Sequence, residues 1–317
     1  MNIALPERVE RFRADLAALA GPAPAAFGVA VSGGPDSLAL LLLAAAAFPG
    51  QIEAATVDHR LRPESAAEAA FVGELCAARG IAHATLTGAP VAGNLQSGAR
   101  ALRYDLLGQW VRDRGLAFLL TAHHRDDQAE TLVMRLQRGA GLAGLAGIRP
   151  RVAIGGLSVL RPLLGWRRAE LAEIVAEAGL MPVEDPSNAD DRYDRARLRK
   201  RLAETDWLDP PALARSAAAL AEAEQALDWT VEQLIAERTG SVPGGLSFDA
   251  TGLPAELRRR ALLRLLALLV PADPPRGDAV QRLLAALEAG ETATLAGVRC
   301  EGGPVWRLSP APPRREP

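Results

Sequence analysis

The sequence predicts an α/β protein: a doubly wound, mostly parallel sheet followed by a second, mainly helical domain. Three observations predict it. Over the first 200 residues, short β-rich runs alternate with helical stretches, the pattern of βαβ crossovers. A glycine-containing turn joins the first run to the first helix. After Trp207 the alternation stops and an Ala-rich helical stretch begins.

Taken in order, Phe27 to Val31 reads as a strand and Ser37 to Ala47 as the helix after it. Gln51 to Val57, Ile81 to Leu86 and Ala117 to Thr121 are the next strands, and Leu157 to Leu160 is a fifth. The helices between and after them are Glu64 to Arg79, Gln96 to Arg114, Asp126 to about Arg138, and Arg167 to Ala178. Parallel sheets of this kind bind ligands beyond the carboxyl ends of their strands. Helical runs Pro211 to Glu237 and Ala255 to Leu269 follow, then β-like pieces near Thr292 to Arg299 and Val305 to Leu308. The expected domains are 1–208 and 209–317, the second ending in a Pro-rich tail expected to be disordered.

Composition excludes several classes. Of 317 residues, 49% are hydrophobic and 23% charged, a globular balance and not a disordered one. The longest apolar run, Leu38 to Phe48, is far below the roughly 20 residues that span a bilayer. The N-terminus carries Glu7, Arg8 and Glu10 and no apolar leader core, so a cytoplasmic protein is expected, with no membrane partner. Cys76 and Cys300 are the only cysteines, too few for a disulfide framework and too distant for a Cys-x-x-Cys site. Lys200 is the only lysine, so arginine richness reflects composition and is not evidence of phosphate binding.

The strongest local signal is Ser32-Gly33-Gly34-Pro35-Asp36-Ser37, between a strand and a helix. Helix N-termini favour anions, and adjacent glycines let backbone approach a phosphate. The Lys of a Walker A loop is missing. Asp36 would repel phosphates unless a cation lay between them, so the segment calls for Mg²⁺ bridging Asp36 and a nucleotide. Asp58 and His59, after the second strand, could line that nucleotide, and Leu61, Arg62, Pro63 and Glu64 follow them. The third segment is His123-His124-Arg125-Asp126-Asp127-Gln128-Ala129-Glu130-Thr131. Asp127 and Glu130 share a helix face if the helix begins near Asp126, and paired carboxylates there suit a cationic amine. Arg138 to Leu145 is too Gly-rich for a helix and reads as a mobile, closing loop. A fourth segment, Glu184-Asp185-Pro186-Ser187-Asn188, precedes Arg192 to Arg201, which holds six basic residues against one acid.

Together these segments resemble the tRNA(Ile)-lysidine synthetase family within the PP-loop ATP pyrophosphatase superfamily. The resemblance covers about residues 25 to 201. It is carried by the Ser32 to Ser37 loop, Asp58-His59-x-Leu61-Arg62, Ala99-Arg100-x-x-Arg103-Tyr104 and His123-His124-x-Asp126-Asp127-Gln128-x-Glu130-Thr131. Arg161-Pro162-Leu163-Leu164 and Glu184-Asp185-x-Ser187-Asn188 complete it. Ala196 departs from the Asn that often follows the arginine at the place of Arg195. The length resembles the compact members.

The resemblance implies an adenine nucleotide α-hydrolase-like fold and attachment of L-lysine to C2 of the wobble cytidine, position 34, in a CAU anticodon of isoleucine tRNA. It implies ATP and Mg²⁺, with ATP held by Ser32, Gly33, Gly34, Pro35, Asp36, Ser37, Asp58, His59, Arg100 and Arg103, and metal held by Asp36. Asp127 and Glu130 would hold lysine, and His124 would transfer a proton beside the catalytic Asp36. Arg192, Arg195, Arg197, Arg199, Arg201, Arg258 and Arg259 would contact tRNA, and a homodimer is compatible with the family. The alternatives are a PP-loop tRNA thiolase, which needs paired cysteines that Cys76 and Cys300 do not offer, and an inactive RNA-binding module, which the retained acids disfavour. The formal net charge of −2 argues against nucleic acid only as a whole-chain sum. Read locally, it becomes an acidic pocket beside basic surfaces.

Overall fold

A computed structural model describes residues 6–21, 26–60, 64–88, 95–183, 194–205, 207–271, 275 and 277–312. Leu61, Arg62, Pro63, the 184–188 motif, Arg192 and most of the Pro-rich tail lie outside the described residues. The chain forms two compact units, Met1–Ala221 and Glu222–Pro317. The division falls within the long helix Pro210–Arg238.

The first unit opens with helix α1 (Pro6–Ala20) and strand β1 (Phe27–Ala30), then α2 (Pro35–Ala47), β2 (Ile52–Asp58), α3 (Ser65–Ala77) and β3 (Ala82–Thr87). Next come α4 (Leu95–Asp113), β4 (Phe118–Leu120), α5 (Arg125–Gln137), α6 (Leu142–Leu145), β5 (Arg151–Ile154) and β6 (Leu157–Leu160). Helices α7 (Arg168–Glu177) and α8 (Asp194–Glu204) follow. The strands align in the order β3-β2-β1-β4-β6-β5, all pairs parallel except the β5–β6 hairpin. The expected parallel sheet is present, and Gly155-Gly156, both at positive φ, turn the chain back for the unforeseen edge strand β5.

Period-two alternation decides what each face of the sheet meets. Phe27, Val29 and Val31 pack with α1, α2, α3 and α7, while Ala30 faces Tyr104, Leu107 and Trp110 of α4. Gly28 shares that second face, and a Cβ there would sit 2.7 Å from the Trp110 ring. Helix α2 has no polar stripe, because Leu38 to Ala44 are all buried. Each of its leucines contributes about 1.5–3 kcal/mol of burial, so the helix that carries the Gly-rich turn is anchored along its length.

The direction of winding positions the site. From β1 the chain steps outward to β2 and β3, then returns to place β4 on the other side of β1. The loops leaving β1 and β4 therefore diverge at a switch point, where open α/β sheets form their ligand crevice.

The second unit contains the end of α9 (Pro210–Arg238), then β7 (Thr239–Val242), β8 (Gly245–Asp249), α10 (Ala255–Leu269), α11 (Gly277–Glu288), β9 (Thr292–Leu295), β10 (Val298–Glu301) and β11 (Val305–Pro310). Its strands form an antiparallel sheet in the order β7-β8-β11-β10-β9. Phe248, Val298, Cys300, Trp306 and Leu308 share a core with Leu262, Leu265, Leu266 of α10 and Val280, Leu283, Leu287 of α11. The unit thus holds a full sheet in addition to the expected helices.

Candidate active site

The turn after β1 is built by its own small residues. Gly33 takes φ +84°, where an added Cβ would also press on Val183. Gly34 caps α2, with Pro35 at the first helical position, the place where a missing N–H costs nothing. The Ser32 amide donates to Ser37 Oγ at 3.1 Å, and Ser37 Oγ donates to the Gly34 carbonyl at 2.9 Å. Val183 N donates to the Gly33 carbonyl at 2.9 Å, which ties the residue before the 184–188 motif to the turn. Ser32 Oγ is 3.2 Å from Ser37 Oγ, so both hydroxyls lie at the helix N-terminus.

Across the switch point, the loop after β4 presents two histidines. His124 is the N-cap of α5, and its amide donates to Asp127 Oδ2 at 3.0 Å. Its buried ring lies among three carboxylates: Nε2 is 3.4 Å from Asp36 Oδ2 and 3.6 Å from Asp127 Oδ2, and Nδ1 is 3.6 Å from Asp126 Oδ2. Burial disfavours the charged ring, but Asp126, Asp36 and Asp127 outweigh it and push its pKa up to about 10. In turn His124 and the Arg168 amide hold Asp126 down at about 2, against the effect of burial.

His123 has the opposite surroundings. Burial first, then Arg161, Arg195, Arg100 and Arg103, depress its pKa to about 3. Its Nδ1 lies 3.2 Å from Thr121 Oγ1. Burial and then Arg103 also depress His59, so Arg103 stands between the loops after β2 and β4. Arg100 sits over the Tyr104 ring, 5.2 Å from its centroid. Arg161 is buried at the end of β6, with Nη1 donating to the Arg149 carbonyl at 2.5 Å.

Asp127 and Glu130 come together as the helix spacing predicts, but with arginine partners. Arg195 donates from Nη2 to Asp127 Oδ1 at 2.8 Å and from Nε to Glu130 Oε2 at 2.6 Å. Arg199 donates from Nε to Glu130 Oε1 at 2.8 Å. Burial raises the Glu130 pKa, and Arg199 and Arg195 more than reverse it, so it is lowered.

Several sequence expectations change here. Asp58 accepts from the Arg60 amide at 2.8 Å and Ser65 Oγ at 2.6 Å, so its carboxylate shapes the turn after β2. Arg195 and Arg199, expected to face RNA, meet Glu130. Arg197 pairs with Asp194, and Arg201 is exposed. In the second unit Arg258 pairs with Glu288 at 3.0 Å and Arg259 with Glu256 at 2.6 Å. Buried Arg260 meets Glu224, Asp228 and Glu256. The expected basic patch on α10 is therefore already neutralised within the unit. The Gly-rich segment after Arg138 is also no free loop: α6 forms within it, Arg135 Nη1 donates to the Gly144 and Gly147 carbonyls, and Gln128 exchanges two hydrogen bonds with the Ile148 backbone. Sequence reasoning singled out no part for His123, Arg161 and Gln128, which stand in the quoted motifs and which the structure places among the arginines, on the Arg149 carbonyl and on the Ile148 backbone.

A family model described as the PP-loop domain matches residues 7–205. The chain is 50% identical to the tRNA(Ile)-lysidine synthase of Novosphingobium aromaticivorans, over 96% of this chain and 94% of that protein. It is 43% identical to the enzyme of that name from Zymomonas mobilis, over 94% and 92%. The chain belongs to the tRNA(Ile)-lysidine synthase family. A member of this family, it also shares its fold with the U34-tRNA thiolase of Methanococcus maripaludis, at TM-score 0.56 and 18% identity over 68% of this chain and 78% of that one. In this family member both cysteines are free, buried and pushed by burial to about 11, so neither is a reactive thiolate at neutral pH.

Proposed function

We propose that this protein ligates L-lysine to C2 of the wobble cytidine in the CAU anticodon of a minor isoleucine tRNA, consuming ATP and releasing AMP and pyrophosphate. Family membership supports the reaction, and one observation carries the assignment of roles: the loop after β4 separates a carboxylate-rich half from an arginine-rich half.

The cytosine carbonyl oxygen is a poor leaving group. Attack of that oxygen on the α-phosphorus of ATP forms an O–P bond and expels pyrophosphate. The lysine ε-amine then attacks C2, and the C–O bond breaks so that the oxygen departs as part of AMP. The amine sheds protons in the process, which calls for an acceptor. His124 was the expected group, yet three carboxylates keep it protonated. His123, depressed to about 3 one residue earlier, is neutral but too weak a base to keep a proton from an ammonium, so neither ring is assigned as the acceptor. His124 then acts as a positioning cation that keeps Asp36, Asp126 and Asp127 together.

Phosphates would lie at the N-terminus of α2, against Ser32, Ser37 and the first helical amides. Asp36 Oδ1 is buried with no hydrogen-bond partner among the described residues, an orphan that fits a divalent cation. No group of three or more acidic, His or Cys ligands forms a cage among the described residues, and Mg²⁺ at phosphates needs only one or two carboxylates. When bound, the ion would neutralise charge on the transferring and leaving phosphates. Asp127 and Glu130 would receive the ammonium of lysine in exchange for Arg195 and Arg199. Arg100 and Arg103, beside His59 and His123, suit the nucleotide or the activated base. Arg201 and Arg197 on α8 are the proposed phosphate contacts for tRNA, and drawing one base out of the loop is what such chemistry requires.

The test is transfer of labelled lysine to an isoleucine tRNA bearing CAU, with AMP and pyrophosphate counted. One of each per lysine incorporated is expected. Incorporation without ATP, or none with folded protein, overturns the proposal.

A further inference from the structure

Tryptophan is mostly buried in folded chains, yet Trp207 is 78% exposed. It stands on a short connector clamped at both ends. Thr205 closes α8, its Oγ1 donating to the Arg201 carbonyl at 2.6 Å. Asp209 opens α9, its Oδ2 accepting from the Ala212 amide at 3.1 Å. Both helix ends beside the indole are thus closed by their own side chains.

Helix α8 leads to this connector from the site. Arg195 and Arg199 hold Asp127 and Glu130, and the next residues, Lys200 and Arg201, are exposed. From Arg199 to Trp207 the chain can span at most roughly 18 Å, five helical steps and three extended ones. An exposed aromatic plane thus follows two exposed cations, a short distance from the carboxylates of the site. A single flat ring preceded by two exposed cations on α8, with Asp209 after it, is not the contiguous apolar patch that protein partners use. It is the pairing that single-stranded nucleic acid uses, a stacking surface with phosphate contacts beside it.

We propose that Trp207 stacks on an unpaired anticodon-loop nucleotide next to the base drawn into the site, with Lys200 and Arg201 on its phosphates. This rests on the RNA substrate proposed above. Extracting the wobble base strips its neighbours of one stacking face, and the indole replaces that face. Trp207 is on this view a substrate-positioning residue that touches no reacting atom.

The experiment compares the full chain with W207L, W207Y and W229L for binding of a short CAU anticodon stem–loop RNA. Trp229, 67% exposed in the second unit, controls for loss of exposed aromatic surface. W207L should bind roughly tenfold or more weakly, and W207Y within about threefold of the parent, because stacking tolerates any aromatic plane. W229L should bind as the parent does. The salt dependence of W207L should keep the parent slope, since no charge is removed, and its KM values for lysine and ATP should not move. Parent-like binding by W207L overturns the proposal, as does equal loss in W207Y and W207L at unchanged thermal stability. A smaller assembly of W207L in sedimentation, with RNA binding intact, assigns the residue to self-association and also overturns it. Failure of the parent chain to transfer lysine sinks the functional reading instead, and the two failures are read in separate assays.

Discussion

His123 and His124 are chain neighbours, the first partly buried and the second buried, and loss of solvent alone drives each ring toward the neutral form. Around His123 the arginines 100, 103, 161 and 195 reinforce that drive and hold it at about 3, whereas Asp126, Asp36 and Asp127 overrule it for His124 and push it to about 10. The contrast arises because consecutive side chains diverge where a strand end becomes a helix cap. One ring turns toward α4, α8 and the end of β6, and the other toward α2 and the first turn of α5. A few residues thereby divide the crevice into a carboxylate-rich side and an arginine-rich side, the arrangement on which the proposed lysine and nucleotide sites rest.

The largest effect expected from breaking this division is at Asp36. Asp36→Ala should cost about three orders of magnitude or more in single-turnover lysine transfer, since metal charge stabilisation is worth several kcal/mol, with circular dichroism unchanged. Near-normal turnover would remove the metal role. Glu130→Gln should raise the KM for lysine about ten- to a hundredfold and leave that for ATP within about twofold, as loss of one charged partner in a partly buried site does. An equal rise in both would merge the two halves into one.

The halves also differ in how pH acts on stability. His124 has a folded pKa above its ordinary value of 6.5, so its stabilisation is fully present below about 6.5 and is lost as pH rises through about 10. His123 has a depressed value, so its contribution is present above about 6.5 and is lost as pH falls toward 3. Urea melts should therefore show His124→Gln less stable than the parent by about 1–3 kcal/mol near pH 6, the gap closing toward pH 10. His123→Gln should gain on the parent only on the acid side. A gap for His124→Gln that widens with pH would reverse the sign of its coupling.

The smallest effect is expected at α10. Arg258 is half-buried on Glu288, and such pairs are worth about 0–1 kcal/mol, so Arg258→Ala should leave tRNA affinity within about twofold. Arg201→Ala should instead weaken affinity and lower the salt slope by about one unit. Equal slopes for the two variants would restore α10 as an RNA contact.

How much of this was legible in the sequence follows from the range of each interaction. The Gly-rich turn, Pro35 at the helix start and the Asp127–Glu130 spacing are local, and each appears where the residues indicate. The meeting of both carboxylates with Arg195 is likewise a property of one helix face. The hairpin strand β5 and the sheet of the second unit were only fragments of pattern, because short strands such as Arg151–Ile154 acquire identity from their partners. The charge pairing was not legible at all. Arg195 and Arg199 look like Arg197 in the sequence, and only the approach of α8 to α5 gives the first two the carboxylates of α5, while Arg197 meets Asp194 on its own helix. The same holds for the histidines, whose order along the chain carries no sign of which is charged. Gln128 and Arg135 pin a segment that reads as mobile, since its glycines are visible and the clamp on their carbonyls is not.

The division of the crevice can be read directly from the imidazole resonances. The chain has four histidines, and His→Gln variants assign them. In cation-free, nucleotide-free protein, the His123 ring should remain neutral down to pH 5 while the His124 ring stays protonated up to pH 8. Titration of both rings together near 6.5 would contradict the account.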